Sequence, residues 1–519
     1  MDPFYLPGFF PSKPLYDPFV DNAKGVPGHI LFPIFLCITA TWILFFVLLV
    51  RRTTFRPSKR NTATILVLGD IGRSPRMMYH ASSLSKHHIE TWLIGYGETT
   101  PISGLISNEN KNVHILSLIE PPRILGKLPW IFRAPIRIIY QIYSIIYLII
   151  WETPINTEYL IVQNPPSIPT LAIAQFIGMN TGSKLIIDWH NTGYSILAMR
   201  LGIKSPIVKL ARWIEKYFGQ SAYAHLFVTE ALREYLVKEW KLEGRKVVLH
   251  DRPPSHFKPT SPRDQHELFT KLLPTLEPPL PPSLIAEEEN STLFTSILSN
   301  EAILRSDRPA LVVSSTSWTA DEDFSLLITA LDEYQNAINS GSQEELPKLI
   351  VLITGKGSLR SGFEKIVLER ESTIWKDIVV RCVFLPSEDY PLLLGSADLG
   401  VSLHTSSSGR DLPMKVVDMF GSGIPVLAKN FACIDELVKD GKNGKVFESG
   451  KELGEQLIRV LKGFPKSSKL DSLKKYFDRT STVEKSSSPS GERAGNDWST
   501  WDENWDKVIY EGLLNKPKK

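Results

Sequence analysis

The chain has 519 residues, too many for one domain and enough for two sizeable ones, with 43% hydrophobic residues to fill their cores. A net charge of +3 over that length is nearly neutral, which argues against a nucleic-acid binder with a concentrated basic face. Three cysteines, Cys37, Cys382 and Cys433, lie far apart and imply neither a disulfide framework nor a metal-ligand spacing, in keeping with a reducing compartment.

Gly25–Val50 contains no Asp, Glu, Lys or Arg. As a helix, Ile30–Val50 rises about 31 Å, enough to cross a bilayer. A cleaved signal peptide fits poorly, because the run is long, starts late and lacks a small-residue cleavage site before its charged flank. A buried globular helix fits worse, since the run has no polar face. Arg51, Arg52, Arg56, Lys59 and Arg60 follow it, against Lys13 and Lys24 before it. The expectation is a tail over 1–28 across the membrane, a signal-anchor over 29–50, and the bulk of the chain in the cytosol.

Beyond the anchor, buried strands alternate with helices, the pattern of doubly wound α/β sheets. Strands are expected at Thr64–Ile71, Thr91–Gly95, Val113–Ser117, Tyr159–Gln163, Lys184–Asp188, His225–Thr229 and Val247–His250, giving a first domain over 62–255. Helical patterns at Ile207–Gly219 and Glu230–Trp240 fall among them. Residues 256–306 combine prolines with the acidic run Glu287–Glu289 and read as a linker or insertion. A second domain over 307–464 repeats the theme with Ala310–Ser315, Leu349–Thr354, Ile378–Leu385, Leu399–His404 and Ile424–Ala428. Residues 465–496, rich in Ser, Lys and Gly, read as a mobile segment. Trp498, Trp501 and Trp505 then share one face of a C-terminal helix over 497–514. Trp130–Trp151 is apolar, with Arg133 and Arg137 near its start. It reads as a helix lying among lipid headgroups, with a buried helix or a second span as alternatives.

Ser406–Lys429 carries the densest chemistry. Asp411, Lys415 and Asp418 are spaced by 4 and 7, which puts them on one helical face, with Pro413 suited to the first turn. The positive end of such a helix is a seat for a diphosphate, and carboxylates beside it can accept from sugar hydroxyls. An exposed helix with an Asp411/Lys415 pair is the plain alternative. Gly355 and Gly357 form a strand-to-helix turn, able to approach a phosphate or simply to let helix and strand pack. Near the first strand, Gly72 would let backbone approach a ligand, and Arg73 and Arg76 could pair with an acceptor diphosphate. A helix capped by Ser74 with Pro75 at its start is the other reading. Asp188 and His190 end a buried strand. Imidazole titrates near neutrality, so His190 is the candidate base with Asp188 orienting it, against a structural or donor-contact role. Asp321-Glu322-Asp323 looks like an acidic helix start rather than a metal site.

The strand–turn–helix at Asp411–Asp418 resembles the nucleotide-binding half of the GT-B glycosyltransferases. Their retaining members carry two glutamates with seven residues between them there; the present pair, with six between, is shifted by one. Four blocks are similar to a narrower group, the β-mannosyltransferases that add the first mannose to chitobiosyl-diphosphodolichol. They are LVLGDIGRSPRMMYHA (Leu66–Ala81), LIIDWHNTGY (Leu185–Tyr194), VVSSTSWTADEDF (Val312–Phe324) and the phrase GRDLPMKVVDMFGSGIPVLA. The resemblance implies two Rossmann-like domains facing a cleft, and inverting transfer from GDP-mannose as donor substrate with no tightly bound cofactor. A divalent cation is compatible with it, but no residue cluster calls for one, and no metal ligand is assigned. By the same resemblance Asp418 would hold the ribose, Asp411 the hexose, and Lys415 the diphosphate beside Gly355 and Gly357. Expected partners are dolichyl-diphosphate-linked chitobiose, lipids of the endoplasmic reticulum membrane and other glycosyltransferases of the same pathway, with no nucleic acid. A retaining α-mannosyltransferase and a catalytically inert membrane scaffold are the rival readings.

Overall fold

Two all-parallel sheets organise the computed structural model, which describes residues 59–106, 111–120, 122, 129–154, 157–284, 290–319, 322–341, 346–406, 408–478 and 498–514. The expected anchor over 29–50 lies outside the described residues, as does most of 465–496. Among the described residues no helix is long and apolar enough to cross a membrane.

The chain divides into two compact units, one running to Val228 and taking in Leu232–Val248, the other formed by Leu249 onward with Thr229–Ala231. In the first, β1 (Lys59–Asp70), β2 (Glu90–Tyr96), β3 (Val113–Ser117), β4 (Thr157–Asn164), β5 (Lys184–Trp189), β6 (Ser221–Phe227) and β7 (Glu243–Val248) lie in the order β3-β2-β1-β4-β5-β6-β7. Strands covered on both faces need apolar residues at every position rather than every second one, and Ala63–Leu68 is buried throughout. The order reverses between β1 and β4, so the carboxyl ends of β1, β4 and β5 surround the crevice where such sheets place their ligands. The helices are α1 (Pro75–Lys86), α2 (Trp130–Tyr147), α3 (Thr170–Thr181), α4 (Gly193–Leu201), α5 (Pro206–Gly219) and α6 (Glu230–Trp240).

Ile145, Ile146, Ile149 and Ile150, from α2 and the π-helical turn after it, are buried in the core of this unit. Tyr143 and Trp151 stay exposed on the other side, with Tyr147 stacked between them at 6.1 and 5.8 Å. One side of this helix is therefore core, as the buried-helix alternative expected, while an aromatic row stays exposed on the other.

The second unit carries the hairpin β8 (Thr295–Leu298) and β9 (Glu301–Leu304), then β10 (Ala310–Ser315), β11 (Leu349–Thr354), β12 (Ile378–Val383), β13 (Leu399–Ser402), β14 (Val426–Lys429) and β15 (Gly444–Phe447). The larger sheet runs β12-β11-β10-β13-β14-β15, with its reversal between β10 and β13. Among its helices are α7 (Pro262–Leu272), α8 (Ser325–Asn339), α9 (Arg360–Thr373), α10 (Asp389–Ser396), α11 (Met414–Gly421) and α12 (Gly450–Leu461). The described part of residues 256–306, expected as a linker or insertion, contributes a packed layer to this unit. Leu268, Phe269, Leu272 and Phe294 share a core with Leu311, Val313, Ile350 and Leu352 of the sheet. The proline-rich stretch had hidden this apolar face. At the C-terminus, Trp501 and Trp505 of α13 (Trp501–Trp505) are buried, and Trp498 rests on Phe420 and Phe477.

Candidate active site

Helix α11 begins at Met414, with Pro413 as the residue before its first turn. Asp411 therefore lies in the preceding loop and not on the helical face that spacing alone suggested. There its Oδ1 accepts from the hydroxyls of Ser406 and, at 2.9 Å, Ser408. Lys415 and Asp418 do sit on the helix, one turn apart.

Lys415 Nζ donates to Oε1 of Glu322 at 2.7 Å, with 18% and 2% of the two side chains exposed. Glu322 is held in turn by the Thr316 hydroxyl and by the Ser317 amide at 3.2 Å, from the loop that leaves β10. The middle acid of Asp321-Glu322-Asp323, expected as a helix start, is thus a buried anchor for the lysine. The expectation failed because the partner lies far away in sequence. Asp323 does cap α8, accepting from the Ser325 amide at 3.0 Å.

Gly355 and Gly357 are required by packing. Gly355 has a φ of +137°, and a Cβ there would stand 1.8 Å from the Thr316 carbonyl oxygen; at Gly357 it would stand 2.2 Å from that of Ser317. They let the β10 and β11 loops lie against each other, which fixes Glu322 and through it Lys415. A direct contact with phosphate is not needed to explain either glycine.

Asp418 is half-buried and, among the described residues, its carboxyl accepts no hydrogen bond. Burial and the neighbouring Asp251 push it up to about 8. A carboxyl held this way is poised to receive donors from a ligand. The Tyr390 hydroxyl, 3.0 Å from Ser315 Oγ, is raised by burial and by Asp418.

In the first unit, Asp188 is the next-to-last residue of β5 and is fully buried. Arg76 Nε and Nη2 grip it at 2.8 and 3.0 Å, while His190 Nε2 and His80 Nε2 approach Oδ2 at 3.0 and 3.3 Å. Burial alone would raise this carboxyl, but Arg76 and the two histidines outweigh it and hold it well below the usual range. Arg76, expected to meet an acceptor diphosphate, is therefore a buried counter-ion, as the inward face of α1 dictates. His80, one turn further along α1, had given no sequence signal; burial lowers it. Arg73 remains at the surface, 56% exposed and 3.5 Å from Asp70. Gly72 has no room for a Cβ, which would stand 2.3 Å from the Thr99 hydroxyl.

His190 is the accessible member of this cluster, its side chain 15% exposed. A carboxylate only accepts, so the His190 nitrogen facing Asp188, Nε2, carries the proton and Nδ1 carries the lone pair. Asp188, fully buried with both oxygens gripped by Arg76, is poorly placed to take a proton from a substrate and suits the orienting role. Among the described residues no group of three or more His, Cys, Asp or Glu is arranged to hold a metal ion.

A family of group 1 glycosyl transferases matches residues 299–476. The chain is 41% identical over 454 residues to the chitobiosyldiphosphodolichol beta-mannosyltransferase of Pongo abelii, covering 87% of this chain and 92% of that one. It is 40% identical to the Homo sapiens protein of the same name, with the same coverage. The chain belongs to the chitobiosyldiphosphodolichol beta-mannosyltransferase family. Its fold is that of the GT-B glycosyltransferases. The solved structure of WaaG, a glycosyltransferase involved in lipopolysaccharide biosynthesis, is similar with a TM-score of 0.51 at 12% identity, over 86% of this chain and 99% of that one. The kinship with the beta-mannosyltransferases spans 87% of the chain and so takes in most of both units.

Proposed function

We propose that this chain transfers mannose from GDP-mannose to the 4-hydroxyl of the outer GlcNAc of chitobiosyl-diphosphodolichol, with inversion to a β linkage. Kinship to beta-mannosyltransferases across both units carries this reading. The second unit receives the donor: Asp418 accepts from ribose hydroxyls, Asp411 orients the hexose, and Lys415 with the α11 amides faces the diphosphate. The acceptor oxygen attacks C1 of mannose, its proton passes to His190 Nδ1, and the bond from C1 to the diphosphate oxygen breaks. GDP leaves with the electron pair, its developing charge offset by Lys415, which Glu322 keeps in place. Asp188, locked by Arg76, steadies the imidazolium that forms. Arg73, at the open end of the first sheet, is the candidate for the acceptor diphosphate.

The same reading puts the protein at the endoplasmic reticulum membrane, anchored once by 29–50, with both units on the cytoplasmic face. The basic residues that follow the anchor support it. Labelled GDP-mannose and a lipid-diphosphate chitobiose, followed by digestion of the product with β-mannosidase, test the reaction. Release of the label supports it. A product resistant to that enzyme and cut by α-mannosidase overturns it.

A further inference from the structure

Helix α5 turns Val208, Ala211, Glu215 and Gly219 inward, and a Cβ at Gly219 would stand 2.6 Å from the Trp189 ring. With that side fixed, Ile207, Leu210, Trp213 and Tyr217 emerge on one neighbouring sector, the last three 57%, 60% and 62% exposed. Trp213 and Tyr217 stack on each other at 5.6 Å, and both stay exposed among the described residues. Scattered exposed apolar residues are ordinary, but a continuous sector along a whole helix marks a contact surface.

The other exposed flank carries Lys209, Arg212 and Lys216, at i, i+3 and i+7. Arg212 lies 3.8 Å from Glu239, and Lys216 donates to the Glu239 carbonyl at 3.2 Å; Lys209 has no such partner among the described residues. The one carboxylate of the helix is turned away. Glu215 is buried and accepts from the Asn164 amide and from the backbone of Gly193 and Tyr194 at 2.7–2.9 Å. The free surface of α5 is therefore apolar on one side and cationic on the other, with an aromatic pair between water and hydrocarbon in polarity. That division matches the layers of an anionic bilayer surface, where acyl chains take the apolar sector and headgroup phosphates the lysines.

The helices that follow β3, β4 and β5 share one face of the sheet, as right-handed crossovers require, and their inner residues form a single core. The outer sides of α2 and α3 add Tyr143 and Met179 to the same layer.

We infer that the outer face of α5 is a membrane-docking surface that lies in the interface of a bilayer containing anionic lipid. This goes beyond the reaction proposed above and does not depend on which sugar is moved. It makes the first unit itself a membrane-bound part, independent of any anchor.

The test places a nitroxide label on the full chain at Trp213→Cys, with Cys37→Ser and with Cys382 and Cys433 left in place, since both are buried. A label at Glu455→Cys, exposed on α12 of the second unit, is the reference. In phosphatidylcholine vesicles containing phosphatidylserine, the label at 213 is expected to meet dissolved oxygen more than a water-soluble nickel chelate, and the label at 455 the reverse. Lys209→Glu is expected to lift the label toward water and to raise KM for a vesicle-embedded acceptor roughly 5-fold, leaving kcat on a short-chain soluble acceptor unchanged. Equal access of both reagents to position 213 in vesicles overturns the inference. So does a label shielded from both reagents in detergent, which would mean that a second copy or another protein covers the face. Either depth result is obtained whether or not the mannosyltransfer reading survives.

Discussion

Lys415 meets Glu322 at 2.7 Å across 93 residues of sequence, tying α11 to the loop that leaves β10 of the second sheet. The glutamate is the more buried partner and holds two further donors. Loss of the acid is therefore expected to cost more than loss of the base. Glu322→Gln should lower unfolding free energy by about 1–3 kcal/mol and also raise KM for the donor, because the lysine is no longer held. Lys415→Met should weaken donor binding with a smaller change in stability. Urea unfolding together with donor kinetics separates the two, and a fully stable Glu322→Gln variant with unchanged KM would remove the anchor role.

Asp418 gives a pH signature. Its folded carboxyl sits at about 8, against 3.8 for the ordinary group, so folding retains a proton that the unfolded chain releases. Stability is expected to decline as pH rises between about 4 and about 8 and then to level off, and Asp418→Asn should flatten that limb. Ribose hydroxyls prefer the ionised acceptor, so GDP binding below pH 8 should release a proton, visible by calorimetry in buffers of different ionisation enthalpy. The variant should bind GDP more weakly and release none.

Arg76 and Arg73, three residues apart, are expected to respond in opposite ways. Arg76→Ala leaves Asp188 buried without its cation, a loss of about 3–5 kcal/mol, and Arg76→Lys should recover only part of it. Arg73→Ala should leave the melting temperature unchanged while raising KM for the diphosphate-bearing acceptor. Thermal unfolding and acceptor titration distinguish them.

His190→Ala should lower kcat by about 10²- to 10⁴-fold with little change in GDP affinity, and should flatten the acid limb of the pH–rate profile. If the imidazole only touched the donor mannose, the loss would fall on donor affinity and the acid limb would persist. Asp188→Asn should slow the reaction by disturbing the tautomer that leaves Nδ1 free.

Much of the fold was legible because parallel strands covered on both faces read as unbroken apolar runs. Ala310–Ser315 and Leu349–Thr354 match β10 and β11 residue for residue. The hairpin of β8 and β9 escaped because it is short and largely exposed, and β15 because it alternates little over four residues. In the candidate site, local spacing put Lys415 and Asp418 on one helix, as α11 does, and the strand pattern put Asp188 and His190 at the end of β5. The spacing overextended α11 to Asp411, since an acid before Pro-Met-Lys fits a first helical turn as well as the loop that Ser406 and Ser408 hold. Glu322 and His80 were invisible for another reason. Each gains its role only when a distant strand brings Lys415 or Asp188 beside it, and no periodicity within a window encodes that meeting.

The layer built by α7 with Leu293 and Phe294 bears on how the protein can be divided. The stretch shared with other group 1 glycosyl transferases starts at residue 299, but α7, Leu293 and Phe294 cover the face of β10 and β11. A fragment cut at 299 would leave Leu311, Val313, Ile350 and Leu352 facing water and should aggregate. The compact unit begins near Leu249, so the start of the matched stretch and the start of the structural unit fall about fifty residues apart.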